Sequence, residues 1–218
     1  VSTRAVTAFY DRWARAYDWL CRLLPGLGRL RRAAVAALDL APGDTVVDLG
    51  CGTGASLPLL RERVGATGTV VGVDASPGML GVARRRVARA GWRNVYLVRG
   101  DAAQPPLDGV EGVLTSFVVA LFSDPTAAVE RWVNCLAPGG RVAVLEAGPS
   151  DHGLARGLNP VFDALVGAGN PFDGDAPSAT LDARIEAARR ALAARTTLTS
   201  DVRRGAGFVS LFAGERAD

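Results

Sequence analysis

The chain contains no lysine; all 25 of its basic residues are arginine. That excludes a lysine Schiff base, a pyridoxal-phosphate anchor and a P-loop lysine. Its single histidine, His152, excludes a multi-histidine metal site, and no metal is expected. Cysteine is scarce: Cys21, Cys51 and Cys135 are odd in number, widely spaced and lack a CxxC pair. Such a set reads as reduced thiols in a cytoplasmic protein. The apolar runs are too short to span a bilayer, and no secretory signal shows at the N-terminus. Internal repeats and low-complexity tails are also missing. Charge excess is small, net +3 with pI near 9.1.

What is present is 218 residues, 49% hydrophobic and 22% charged, enough for one globular domain with a real core. Its centre is the stretch Val46-Val47-Asp48-Leu49-Gly50-Cys51-Gly52-Thr53-Gly54. An apolar run around one acid breaks into three glycines at alternate positions. That predicts a buried parallel strand entering a tight turn, with a helix opening at about Ala55. Glycine permits unusual dihedrals and close approach of backbone N–H groups to a ligand. The helix start adds partial positive charge. The strand's carboxyl end is therefore a ligand cradle, where open α/β sheets bind cofactors. Gly50-x-Gly52-x-x-Ala55 also satisfies the dinucleotide fingerprint, so an NAD-binding oxidoreductase is one reading. Asp48 argues against it, because a dinucleotide fold normally keeps an apolar residue there.

Residues 7–24 predict an amphipathic helix with Phe9, Trp13, Tyr17, Leu20 and Leu24 on one stripe. The aromatics either cover the core or form a lid over the site. A membrane-surface role is weakened by Asp11 and Asp18 among the arginines. Pro25-Gly26-Leu27-Gly28 ends this helix, and a second runs from about Arg29 to Leu38. After the glycine turn a helix extends to Val64, then a strand Thr69 to Val73 ends on Asp74. Asp74 stands about 20 residues past the glycines, the distance of a ribose-binding acid. Pro77 to Ala90 predicts a helix whose Arg84, Arg85, Arg86 and Arg89 spread around it. That is a solvated face rather than a nucleic-acid patch, and no nucleic-acid partner is expected. Strands are predicted at Val95 to Val98, Val113 to Val119 and Arg141 to Glu146, with a helix from Asp124 to Leu136. A short helix from Asn159 to Val166, a Gly/Pro/Asp loop and a helix from Ser178 to Arg195 follow. The chain closes with strands Thr196 to Val202 and Gly207 to Gly214, joined through Arg203-Arg204-Gly205.

Four strings, taken together, carry a resemblance. They are the glycine turn, Asp74-Ala75-Ser76-x-x-Met79-Leu80, Arg99-Gly100-Asp101-Ala102, and Leu136-x-Pro138-Gly139-Gly140 leading to Glu146. Each stands at a strand end, and in this order they resemble the class I S-adenosylmethionine-dependent methyltransferases over roughly residues 9–146. The opening Phe9-Tyr10-Asp11-x-Trp13-Ala14-x-x-Tyr17-Asp18 looks like the ubiquinone/menaquinone-biosynthesis type. The resemblance implies an α/β, Rossmann-like doubly wound sheet of seven strands in the order 3-2-1-4-5-7-6, strand 7 antiparallel. One domain is expected over residues 1–218. It divides into a helical lid (1–40), a cofactor-binding core (41–146), a helical acceptor-pocket insertion after strand five (147–195) and a C-terminal hairpin (196–218).

The implied cofactor is S-adenosylmethionine, held by Asp48, Gly50, Cys51, Gly52 and Gly54 in the turn. Asp74 and Ala75 would meet the ribose, and Met79 would pack on adenine; taken alone, Met79 reads as ordinary core. Gly100, Asp101 and Ala102 would read the adenine edge, and Ser116 and Phe117 would flank the methionine moiety. The implied reaction is methyl transfer to a small-molecule acceptor: a secondary metabolite, quinone or lipid precursor. The alternative is a protein that binds the cofactor structurally and directs a non-methylating reaction such as a cyclisation. Candidate bases are Tyr10, Tyr17, Glu146, Asp151 and His152, of which the histidine is the residue type most often used to take a proton. A lone histidine in a polar Ser-Asp-His-Gly loop also reads as simply solvated.

Overall fold

Short β-branched runs alternating with helical stretches build one mixed sheet. The computed structural model describes residues 26–160 and 177–217. Five strands run parallel: β1 (Thr45–Leu49), β2 (Thr69–Asp74), β3 (Val95–Arg99), β4 (Val110–Ser116) and β5 (Leu136–Ala147). A hairpin of β6 (Thr197–Arg204) and β7 (Val209–Glu215) joins through β7, antiparallel to β5. The order is β3-β2-β1-β4-β5-β7-β6, as the resemblance implies. Helices α1 (Leu27–Ala37), α2 (Leu57–Val64), α3 (Pro77–Ala90), α4 (Pro125–Asn134) and α5 (Pro177–Arg195) cover it.

Alternation along the strands feeds two cores. Val46, Val70, Val95, Leu114 and Leu145 pack with Ala34, Val35, Leu57, Leu60 and Ala83 of α1, α2 and α3. Val47, Leu49, Val71, Val113 and Val144 pack on the other face with Val129, Trp132, Ile185, Ala188 and Leu192 of α4 and α5. Strands buried on both faces read as continuous apolar runs, which is why β1 and β2 stood out. Helix starts follow local chemistry. Ser76 Oγ accepts from Met79 N at 3.1 Å, Asp124 Oδ1 accepts from Ala127 N at 2.9 Å, and each cap precedes a proline.

Several boundaries differ from expectation. The fourth strand is Val110–Ser116 rather than Val113 to Val119. It stops because Phe117 takes φ 61° and Val119–Leu121 form a 3-10 turn, so Val118 and Val119 lie in a turn. The fifth strand starts at Leu136, and Pro138-Gly139-Gly140 is an excursion inside it: Val110 pairs with Leu136, then Gly112 with Arg141. Arg203 and Arg204 belong to β6, and the hairpin turns at Gly205, Ala206 and Gly207, all with positive φ. The helix after the glycines begins at Leu57, not Ala55, and α1 begins at Leu27 with Gly28 inside it. The expected lid helix at 7–24, with Tyr10 and Tyr17, lies outside the described residues, as does most of the expected short helix and loop within 159–177. No helix among the described residues is long and apolar enough to cross a membrane.

Candidate functional site

Parallel pairing brings the carboxyl ends of β1 to β5 to one edge of the sheet. From there β1 leads to α2 on one face, and β4 leads to α4 on the other. That reversal opens a crevice between neighbouring strands, the place where open α/β sheets take ligands.

The glycine turn sits at this crevice. Gly50 N and Cys51 N both donate to Val73 O, at 2.8 and 2.9 Å, and Gly54 N donates to Cys51 O at 2.9 Å. Its three glycines have φ of 72°, 54° and 74°, a region side chains rarely adopt. Their surroundings differ. A Cβ on Gly50 would stand 2.3 Å from Val118 Cγ2, and one on Gly54 2.6 Å from Leu57 Cδ1. One on Gly52 would meet nothing within 4 Å among the described residues. Among the described residues Gly52 therefore has space beside it, while Gly50 and Gly54 let neighbouring elements close in. Cys51 is buried, its Sγ beside Gly72 of β2, and burial raises its thiol pKa well above the ordinary value.

Asp74 ties this turn to the end of β2. Its Oδ2 accepts from Gly52 N and its Oδ1 from Ser76 N, each at 2.8 Å. A carboxylate offers about four acceptor positions, so it can serve a turn, a helix start and a polar ligand together. Ala75 is half-buried beside it, and Met79 is buried in the first turn of α3. At the next strand end Gly100 N donates to Asp74 O at 3.1 Å. Asp101 is exposed and accepts from Ala103 N at 2.9 Å. Ala102 is buried, and its carbonyl accepts from Trp132 Nε1 at 2.9 Å. Trp132, on α4, was missed as a support of this loop; the signal was an indole N–H in a buried helix, which needs a partner.

On the β1 and β4 side lie three buried side-chain oxygens, Asp48 Oδ2, Thr115 Oγ1 and Ser116 Oγ, without a hydrogen-bond partner among the described residues. Burial raises the Asp48 pKa to about 7, with Arg31 opposing and Asp74 adding to the shift. Phe117 is half-buried, and its N donates to Leu145 O at 2.8 Å. Glu146 Oε1 accepts from Val118 N and Val119 N, both at 2.7 Å. Burial raises the Glu146 pKa to about 7 against those two bonds. With 2% exposure and its Oε1 so engaged, Glu146 is placed to hold backbone, not to meet an acceptor.

The loop after β5 is ordered by Ser150 and Asn159. Ser150 N donates to Asn159 Oδ1, and Asn159 Nδ2 donates back to Ser150 O, both at 2.9 Å. Ser150 Oγ donates to Ala206 O at 2.6 Å, fastening the loop to the hairpin turn. His152 stands beyond it with a side chain 67% exposed, Nδ1 3.5 Å from Asp151 Oδ1. The Asp151 pKa is lowered by a hydrogen bond from its own backbone and by Arg203. The structure thus gathers the glycine turn, Asp74, Gly100 to Ala102, and Ser116 to Phe117 along one edge. His152 lies past the end of β5, and Tyr10 and Tyr17 lie outside the described residues.

A family described as "Methyltransferase domain" matches residues 46–140. The chain is 34% identical over 143 residues to aklanonic acid methyltransferase DauC of Streptomyces sp. (strain C5), covering 64% of each chain. It is 38% identical over 148 residues to the demethylmenaquinone methyltransferase of Thermus thermophilus, covering 66% of each. Aligned stretches thus span just under two thirds of these relatives' lengths. Among solved structures, the 4+2 cyclase SpnF superposes with TM-score 0.70 at 16% identity, over 97% of this chain and 95% of that one. That likeness is of the fold, and a fold alone does not choose a reaction.

Proposed function

Since the chain belongs to the class I S-adenosylmethionine-dependent methyltransferases, we propose that it moves the methyl group of that cofactor to a small organic acceptor. The acceptor class is a secondary metabolite, quinone or lipid precursor; the relatives' names, aklanonic acid and demethylmenaquinone methyltransferase, support that range. The observation that carries the reading is the Gly52–Asp74 hydrogen bond beside the space that the described residues leave at Gly52. It locks a bare backbone and a carboxylate side by side, which suits a nucleoside with a ribose diol.

The donor set fits the cofactor. Asp48 Oδ2 and Ser116 Oγ are buried oxygens lacking a partner among the described residues, and they suit the ammonium of an amino-acid tail. Asp74 suits the ribose hydroxyls, while Met79 and the Asp101–Ala102 loop suit an adenine face and edge. Bound S-adenosylmethionine supplies a methyl group already activated by its sulfonium. The chain's task is to align the acceptor with that methyl and exclude water. Phe117, held by its N–H to Leu145 O, supplies an apolar wall. Where the acceptor must lose a proton, His152, at the same end of the sheet, is the residue to take it. Buried, unpaired Cys51 and Cys135 support a reducing, cytoplasmic setting.

The test is product analysis with methyl-labelled cofactor and a panel of hydroxylated quinones and polyketides. Label in the acceptor with matching S-adenosylhomocysteine is expected. An acceptor converted with no S-adenosylhomocysteine formed contradicts methyl transfer and means the cofactor serves a non-methylating reaction.

A further inference from the structure

We propose that Glu146 is a positioning residue of the cofactor site, acting through Val118 on the first glycine of the turn. The inference rests on the reading that S-adenosylmethionine binds at that turn.

The connection is a short physical chain. Glu146 Oε1 takes the N–H groups of both Val118 and Val119, each at 2.7 Å. Two N–H groups converging on one oxygen fix the peptide that carries Val118. Upstream, Phe117 holds φ 61° without being glycine, and its N–H is anchored on Leu145 O at 2.8 Å. The Val118 side chain is thereby pressed over Gly50. An added Cβ there would stand 2.3 Å from Val118 Cγ2 and 3.0 Å from Val118 Cγ1. Gly50 N and Cys51 N in turn hang from Val73 O, and Gly52 N from Asp74. A shift of Val118 would free Gly50, and the backbone that faces the ligand moves with it. Burial raises the pKa of this acid to about 7 against its two N–H bonds, and Oε1 can accept in either protonation state. Glutamine offers the same acceptor; leucine offers none.

S-adenosylhomocysteine is titrated calorimetrically into the wild type and the variants Glu146→Gln, Glu146→Leu, Val118→Ala and Glu146→Leu/Val118→Ala, with melting curves for each. Wild-type binding comes first, and its absence would overturn the cofactor reading itself. Given that binding, Glu146→Gln is expected within about threefold of wild type. Glu146→Leu, which strands two buried N–H groups, is expected roughly tenfold weaker. Val118→Ala weakens binding too, and the double variant is no weaker than Glu146→Leu alone, because both act through one contact. A folded Glu146→Leu protein with wild-type affinity and only a lowered melting temperature overturns the proposal, as do additive losses in the double variant. If Glu146→Leu gives no cooperative melt, the remaining pair decides. Weakened binding in Val118→Ala with wild-type affinity in Glu146→Gln sustains the proposal, and wild-type affinity in Val118→Ala overturns it.

Discussion

Two turns leave the sheet side by side at the crevice, and they are built in opposite ways. The turn after β1 uses three glycines, all at positive φ, and its middle one has no neighbour beside it among the described residues. The turn after β4 has none. Ser116-Phe117-Val118-Val119 reaches φ 61° at Phe117 and is held by a carboxylate from β5. The difference follows from position. A backbone that must approach a ligand is kept free of side chains, whereas the backbone behind it must be fixed, and its side chains fill space. The first kind of turn is written locally; the second is written in a residue about thirty positions away.

The sharpest way to break this comparison is Gly50→Ala. It puts a Cβ 2.3 Å from Val118 Cγ2 at φ 72°, so overpacking adds to backbone strain. A loss of about 2–4 kcal/mol in denaturant-measured stability is expected. A variant as stable as wild type would mean the two turns do not press on each other. Next in size is Asp74→Ala, which removes the acceptor for Gly52 N and for the proposed ribose hydroxyls. Cofactor affinity should fall by about 1.5–3 kcal/mol, read by calorimetry on protein shown to be folded. Unchanged affinity would remove Asp74 from the site.

Gly52→Ala sharpens the contrast within one turn. It has φ 54° but, among the described residues, no neighbour within 4 Å of an added Cβ. About 1–2 kcal/mol of stability is expected to go, from the left-handed conformation alone, with a separate loss of cofactor binding. Equal melting of the Gly50 and Gly52 variants would erase the distinction between them.

Much of the β1 turn was legible because its signals are local. Glycine spacing, the acid closing β2, and Ser76 before Pro77 each dictate a conformation within a few residues. The strand order could be read because those strings fall at strand ends in series. The β4 turn was not legible, since Val118-Val119 continues an apolar run that reads as strand, and only Glu146 across the sheet ends it. Glu146 itself was visible as a carboxylate at a strand end, but not as one turned toward backbone. Trp132 holding Ala102 O was hidden likewise, by a contact thirty residues apart in sequence. The hairpin slipped by a few residues because Ala206 takes φ 56°, a conformation its residue type does not announce.

The smallest expected effect, counted per pH unit, separates the turns by pH. Burial raises Glu146 from 4.5 and Asp48 from 3.8, each to about 7. An acid whose folded pKa is raised contributes stability that is full below its ordinary pKa and is lost as pH rises toward the folded value. Apo stability should therefore fall from about pH 4.5 to pH 7, on the order of 1 kcal/mol per pH unit, and level off above that. Glu186, lowered to about 2 first by its Arg189 hydrogen bond, titrates below that window. Urea midpoints across it check the slope, which Glu146→Gln should make shallower. A slope identical in wild type and Glu146→Gln would mean Glu146 is ionised throughout.

The central claim is that the bare backbone at Gly52, locked to Asp74, holds S-adenosylmethionine. The direct measurement is urea unfolding of the wild type with S-adenosylhomocysteine or NAD, each over a concentration series. At ~100 times its dissociation constant, S-adenosylhomocysteine should add about 2.7 kcal/mol, and NAD should add nothing. Stabilisation by NAD with none from S-adenosylhomocysteine would contradict the account.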